Sequence, residues 1–157
     1  LDQTVRHATS LDIGAVRVTE RLLHDDPPTE QQITAARRLV DEMLDASGTP
    51  FEQIVSIVAV AGTVTTMAAV ELGLEEYSRD AVHGMFLELD TIRSHAERWL
   101  HQPVATTATE PCMPPMRAQV IAGGALILER VASRLGAGSV LVSETDILDG
   151  IVLDLLD

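Results

Sequence analysis

Three stretches of the sequence hold residues whose types and spacing suit the binding of a small anion. In Val60-Ala61-Gly62-Thr63-Val64-Thr65-Thr66 an apolar run passes through a glycine into a hydroxyl-rich helical pattern. Free N–H groups at a helix N-terminus attract phosphate, and a glycine lets it approach the backbone closely. The plainer alternative is an ordinary strand-to-helix turn with Thr63 as N-cap. In the stretch from Pro114 to Ala125, Arg117 stands near the start of a helical pattern and Gly123-Gly124 lie inside it. Two interior glycines cost about 1 kcal/mol each relative to alanine, so a ligand or, more plainly, another element must come close to that face. The charge of Arg117 opposes the helix dipole, which either a bound anion or solvent would offset. In Ser10-Leu11-Asp12-Ile13-Gly14-Ala15-Val16-Arg17 a strand end, a glycine and a basic residue bring Arg17 within reach of a phosphate. A surface arrangement with Glu20 or Arg21 is the alternative there.

Other chemistries find little support. His7, His24, His83, His95 and His101 form no H-x-H or H-E-x-x-H pair, so metal ligation by histidine is not expected. Cys112 sits between two residues of a proline-rich loop without a neighbouring base, and Ser143 lies in no nucleophile elbow. Asp25-Asp26 and Glu75-Glu76 read as solvated charges. All 11 basic residues are arginine, which removes a Walker-type phosphate loop and Schiff-base chemistry. No complete set of nucleophile, base and electrophile is present, and no catalytic residue is assigned.

The elements that must position these groups follow from periodicity. A chain of 157 residues with 46% hydrophobic residues has the length of one domain. A net charge of −13 argues against nucleic acid as a partner. No apolar run approaches the roughly 20 residues of a membrane span, no signal peptide is visible, and a single cysteine fits a reducing compartment. Thr4 to Leu11 reads as a strand and Ala15 to Leu23 as a short helix. Thr29 with Gln32 is a capping-box pair that opens a helix carrying Ile33, Ala36, Val40, Met43 and Leu44 on one stripe and ending near Ser47-Gly48.

Ile54 to Val60 reads as a strand covered on both faces, followed by a helix from about Val64 to Leu72 closed by Gly73. His83 to Leu89 is a possible short strand. Asp90 is expected to cap a helix to Leu100, with Ile92, Ala96, Trp99 and Leu100 on one side. Residues 101–115 read as a loop, Met116 to Leu135 as one long helix stopped by Gly136, Ser139 to Ser143 as a strand, and Asp146 to Leu156 as a last helix. This order predicts α/β architecture with the two apolar strands parallel.

At these stretches the chain resembles the exopolyphosphatase and guanosine pentaphosphate phosphohydrolase family, Ppx/GppA. Ser10 to Glu20 is similar to its S-x-x-x-G-A-V-R-L-T-E segment, Ala61 to Ala69 to its second-half glycine-threonine loop and helix, Met116 to Arg130 to its R-A-x-x-I-x-x-G-A-x-I-L helix, and Ser143 to Gly150 to its closing S-x-x-x-L-R-E-G. The four motifs stand in the family's order, and the likeness covers essentially the whole chain. The resemblance implies an actin-like fold of two ribonuclease-H-like domains. It also implies magnesium-dependent hydrolysis of terminal phosphoanhydride bonds in inorganic polyphosphate or the alarmone pppGpp. A phosphate loop and a water-activating glutamate are expected from the first domain.

On that resemblance, residues 1–157 are read as part of the second domain: a ribonuclease-H-like mixed sheet with helices on both faces, its N-terminal strands missing. Strand 4–11 is then expected to be frayed, relocated or paired with another chain. Gly62, Thr63, Arg17 and Arg117 are the expected substrate-binding residues, with magnesium ligands mostly outside the chain. Leu148 stands where the closing motif has arginine, and Thr65 where some relatives carry lysine. The isolated chain is therefore expected not to turn over polyphosphate. The alternative reading is a non-catalytic member that binds pppGpp, ppGpp or a protein. A cytoplasmic location and a homodimer are the remaining expectations, with no nucleic acid or membrane partner.

Overall fold

In the computed structural model, residues 5–135 and 138–154 are described. Helix α1 spans Ala15–Leu22 and α2 spans Glu30–Ala46. The capping box that opens α2 is formed: the Thr29 hydroxyl accepts from the Gln32 N–H at 3.3 Å, and the Gln32 side chain accepts from the Thr29 N–H at 3.1 Å. The α2 stripe of Ile33, Ala36, Val40 and Leu44 is buried, joining Val18 and Leu23 of the first helical segment in one apolar cluster.

The sheet has three strands among the described residues, in the order β1-β3-β2. β1 (Val58–Ala59) and β3 (Ser139–Val142) are parallel, as their apolar patterns predict, and β2 (Phe86–Glu88) pairs antiparallel with β3. Helix α3 (Gly62–Glu71) follows β1, short α4 (Arg79–Val82) precedes β2, and α5 (Leu89–His101) carries Ile92, Ala96, Trp99 and Leu100 buried. Short α6 (Val104–Thr107) and α7 (Pro115–Ala118) interrupt the proline-rich stretch, α8 (Ile121–Ser133) crosses the centre, and α9 (Ile147–Asp154) closes the described chain.

Several expectations are corrected. Residues 5–11 form no strand, because no neighbouring strand offers them a ladder; Thr4 lies outside the described residues. The run from Ile54 to Val60 contributes only two residues to the sheet. It lies at an edge, and Val55, Val58 and Val60 are exposed rather than covered. Glu88, not Asp90, is the N-cap of α5; Asp90 sits in its first turn and accepts from Arg93 at 3.1 Å. The long helix from Met116 is broken at Gln119-Val120: Val120 leaves helical geometry at φ −128°, which lets Ala118 on α7 and Ile121 on α8 both be buried. Its expected stop, Gly136, and the last residues of the final helix, Leu155 and Leu156, lie outside the described residues. Asp25 and Asp26 are bonded rather than merely solvated, Asp26 accepting from the Val104 N–H at 2.8 Å and Asp25 from Gln32 at 3.0 Å.

The paired glycines of α8 are explained by packing. A Cβ on Gly123 would lie 2.6 Å from Thr19 Oγ1 and 2.9 Å from the Ala15 carbonyl oxygen, so α1 rests directly on the helix backbone there. A Cβ on Gly124 would lie 2.3 Å from Thr63 Oγ1, so α3 does the same one residue on. Close approach of two helices offsets the propensity cost. A charged seam ties α2 to α8: Arg130 and Arg134 both donate to Asp41, at 3.0 and 2.9 Å, and Arg134 also reaches Asp45 at 2.5 Å.

Candidate anion site

The carboxyl ends of parallel strands are where α/β sheets place ligands, because helix N-termini converge there. β1 runs out at Val60. Ala61 then adopts φ +74°, ψ +170°, a region that glycine occupies freely and other residues at about 1–3 kcal/mol. This conformation swings the chain into α3 at Gly62. The first intrahelical bond there runs from the Thr65 N–H to the Ala61 carbonyl at 3.3 Å, and no side chain caps the end. The N–H groups of Gly62, Thr63 and Val64 therefore remain available.

Thr63 is not the N-cap. It lies within the first turn with its hydroxyl and methyl against the backbone of Gly124. The alternative reading of that threonine is thereby corrected.

Arg117 is brought to the same place by α7, whose start is set by Pro114 and Pro115 and whose turn closes with the Arg117 N–H on the Pro114 carbonyl at 2.8 Å. Its guanidinium lies against Gly62: an added Cβ would be 2.1 Å from Nη2 and 2.5 Å from Cζ. Among the described residues its side chain has no carboxylate and no hydrogen-bond partner. A fixed cation and the positive end of a ten-residue helix thus stand together uncompensated.

Arg17 is not at this site. Its Nη1 lies 2.5 Å from Asp12 Oδ1, with Arg21 reaching Asp12 Oδ2 at 3.4 Å, all on exposed side chains. Asp12, rather than Glu20 or Arg21, is its partner. From that segment it is Ala15 that approaches Gly124: a Cβ added to the glycine would lie 3.2 Å from the Ala15 Cβ.

Tyr77, Arg79 and Glu144 border the same end of the sheet and were not singled out from the sequence. Tyr77 donates its hydroxyl to the Glu144 carboxylate. Arg79 donates to the Glu144 carbonyl at 2.8 Å, and His83 Nδ1 accepts from the Glu144 N–H at 3.1 Å. Burial first, then the hydrogen bond to Glu144, push the Tyr77 phenol above its ordinary value of 10.0, opposed by a contact with the Thr65 hydroxyl on α3. The available signal was positional: Glu144 leaves β3 as Gly62 leaves β1, at the same end of two parallel strands.

Among the described residues no group of three or more His, Cys, Asp or Glu side chains is placed to hold a metal ion. These residues alone do not make a magnesium site, and no step is assigned through one. Cys112 donates its thiol to the Leu74 carbonyl at 3.0 Å, a structural contact.

The parallel β1–β3 pair leading into α3, with an antiparallel neighbour and helices packed on it, defines an α/β domain of the ribonuclease-H-like, actin-like class. Comparison with known proteins narrows this. The Ppx/GppA phosphatase family matches residues 1–157, and the chain belongs to that family. It is 40% identical over 152 residues to Exopolyphosphatase 2 of Mycobacterium tuberculosis, covering 93% of this chain and 48% of that protein. Among solved structures, an exopolyphosphatase-like protein superimposes with a TM-score of 0.90 at 36% identity, over 94% of this chain and 49% of that one. The Ppx/GppA family member of Aquifex aeolicus does so at 0.90 and 27% identity, over 98% of this chain and 49% of that one. The chain spans about half the length of these relatives.

Proposed function

We propose that this chain forms the phosphate-holding part of a phosphohydrolase that removes terminal phosphates from inorganic polyphosphate. The observation that carries the reading is the unpartnered Arg117 guanidinium seated on Gly62, beside the open N-terminus of α3. A phosphoanhydride chain carries closely spaced negative oxygens. One would accept from the N–H groups of Gly62 and Thr63, and its neighbour would pair with the guanidinium. Recognition is local by necessity, since a net charge of −13 provides no broad attraction for a polyanion. Family membership and the likeness to an exopolyphosphatase support this substrate class.

The finer parts of the reading are that pppGpp is a second substrate, that magnesium serves the full-length enzyme through ligands mostly outside this chain, and that the enzyme is a cytoplasmic homodimer. No helix among the described residues is long and apolar enough to cross a membrane. Arg17 joins the site in this reading only by leaving Asp12. By themselves the 157 residues bind phosphate chains and do not turn them over, because among the described residues no base faces α3 free of partners: Glu144 is held by Tyr77 and Arg79. Leu148, standing where the family's closing motif has arginine, favours the second reading, a non-catalytic member that binds an alarmone or a protein.

Calorimetric titration with tripolyphosphate tests the site. Arg117→Ala is expected to weaken binding about tenfold or more, as loss of one charge-assisted contact of about 1.5–3 kcal/mol requires, and Arg17→Ala to change it far less. Equal affinity of Arg117→Ala and the parent chain refutes the site. Phosphate release from long-chain polyphosphate by the 157 residues refutes their inactivity.

A further inference from the structure

β1 and β3 end side by side. Ala59 and Val142 are their last register pair, so Ala61, which turns the chain into α3, and Glu144, which leaves β3, each stand two residues beyond it. Neighbouring strands lie about 4.8 Å apart. A carboxylate thus borders the helix N-terminus that is to hold a polyanion, and repels it. The Glu144 side chain is only 16% exposed, so water and salt screen its charge poorly. A second carboxylate, Asp149 of α9, stands close by, its Oδ2 accepting from the Asp146 N–H at 2.9 Å.

Arg79 joins the two. Its Nη2 donates to the Glu144 carbonyl at 2.8 Å and lies 3.8 Å from Asp149 Oδ2, and its Nε lies 3.7 Å from Glu144 Oε2. Tyr77 ties the cluster to α3: its hydroxyl donates to the Glu144 carboxylate and touches the Thr65 hydroxyl. Fastening the turn does not depend on Arg79 alone. Tyr77 holds the Glu144 carboxylate, and His83 Nδ1 accepts from the Glu144 N–H at 3.1 Å. The Arg79 side chain is 59% exposed, and ion pairs at such exposure add little stability. What Arg79 adds is positive charge. The phenol is neutral, and a histidine that accepts at Nδ1 is neutral as well. Among the described residues no other cation pairs with Glu144 or Asp149.

We propose that Arg79 is an affinity-determining residue for phosphate chains: it offsets the charges of Glu144 and Asp149 at the border of the anion site and leaves the direct contacts to Gly62, Thr63 and Arg117. The inference rests on the reading of Gly62 and Arg117 as that site. A unit charge within a Debye length of a multiply charged ligand, about 8–10 Å, shifts its affinity about fivefold.

The test is calorimetric titration of the full-length protein with tripolyphosphate, magnesium withheld. Arg79→Ala is expected to weaken binding about fivefold. Adding Glu144→Gln to Arg79→Ala restores the local charge and keeps an oxygen for the Tyr77 hydroxyl. That double variant should return to within about twofold of the parent. A turn merely disordered by the loss of Arg79 would show no such return. Unchanged affinity in Arg79→Ala, or a loss that Glu144→Gln does not recover, overturns the proposal. Arg117→Ala separates the two readings. If it binds as the parent does, the anion site is wrong and the role of Arg79 falls with it. If it binds more weakly and Arg79→Ala does not, the site stands and only the role of Arg79 is refuted.

Discussion

Replacing Gly124 by alanine would place a methyl group 2.3 Å from Thr63 Oγ1, 3.0 Å from Thr63 Cγ2 and 3.2 Å from the Ala15 Cβ. On an isolated helix the change is favourable by about 1 kcal/mol. Here the overlap cannot be relieved by turning Thr63. Both of its γ atoms face the new methyl, and a β-branched side chain on a helix has few rotamers. α3 must move away from α8, and overpacking of this kind costs about 1–3 kcal/mol. The upper end applies, because a contact at 2.3 Å needs a shift of more than about 1 Å in a helix whose next turns are buried. The net expectation is a loss of about 2 kcal/mol.

In a Thr63→Ala background both γ atoms are gone and only the 3.2 Å contact with Ala15 remains. Gly124→Ala should then be neutral or stabilising by up to about 1 kcal/mol. Urea unfolding, followed through the fluorescence of the single, buried Trp99, gives all four stabilities. The expected coupling is about 2–3 kcal/mol. If Gly124→Ala changes stability equally in both backgrounds, to within about 0.5 kcal/mol, the reason given for this glycine is wrong.

Ala61→Gly should stabilise the chain by about 1 kcal/mol in the same assay, because the positive φ is relieved at an exposed position; no gain would mean that Ala61 is unstrained. Asp41→Asn should cost about 2–3 kcal/mol, since two half-buried guanidiniums lose their shared carboxylate, and a loss below about 0.5 kcal/mol by denaturation would make that seam decorative. His101 is raised above 6.5 by its hydrogen bond to the Glu97 carbonyl and then by Glu30. Its contribution is therefore full below pH 6.5 and lost as pH rises through the raised folded value. A stability–pH profile should fall across that window and flatten there in His101→Gln; an unchanged slope contradicts the assignment. Glu144→Gln should lower the Tyr77 phenol titration, read by ultraviolet difference absorbance, and an unmoved midpoint would remove Glu144 as a cause.

Features that depend on residues close together in the chain were legible before any fold was known. The Thr29–Gln32 capping box, the buried stripes of α2 and α5, and the turn from an apolar run through Gly62 into α3 are each set by neighbours within a few positions, and each formed. The Gly62–Arg117 pair was half legible. Both residues stood out by type, but only the fold puts the guanidinium on the glycine, because 55 positions of chain separate them.

The rest came from contacts across the fold. β-branched residues favour a strand only where a ladder accepts them, so residues 5–11 remain without one and Ile54 to Val60 yields just β1. Arg17 is taken by Asp12, Glu144 by Tyr77 and Arg79, and the two glycines of α8 by α1 and α3. Side-chain partners and close backbone approaches are relations between distant segments. Hydrophobic periodicity says which face of an element is buried, and packing alone says what lies against it.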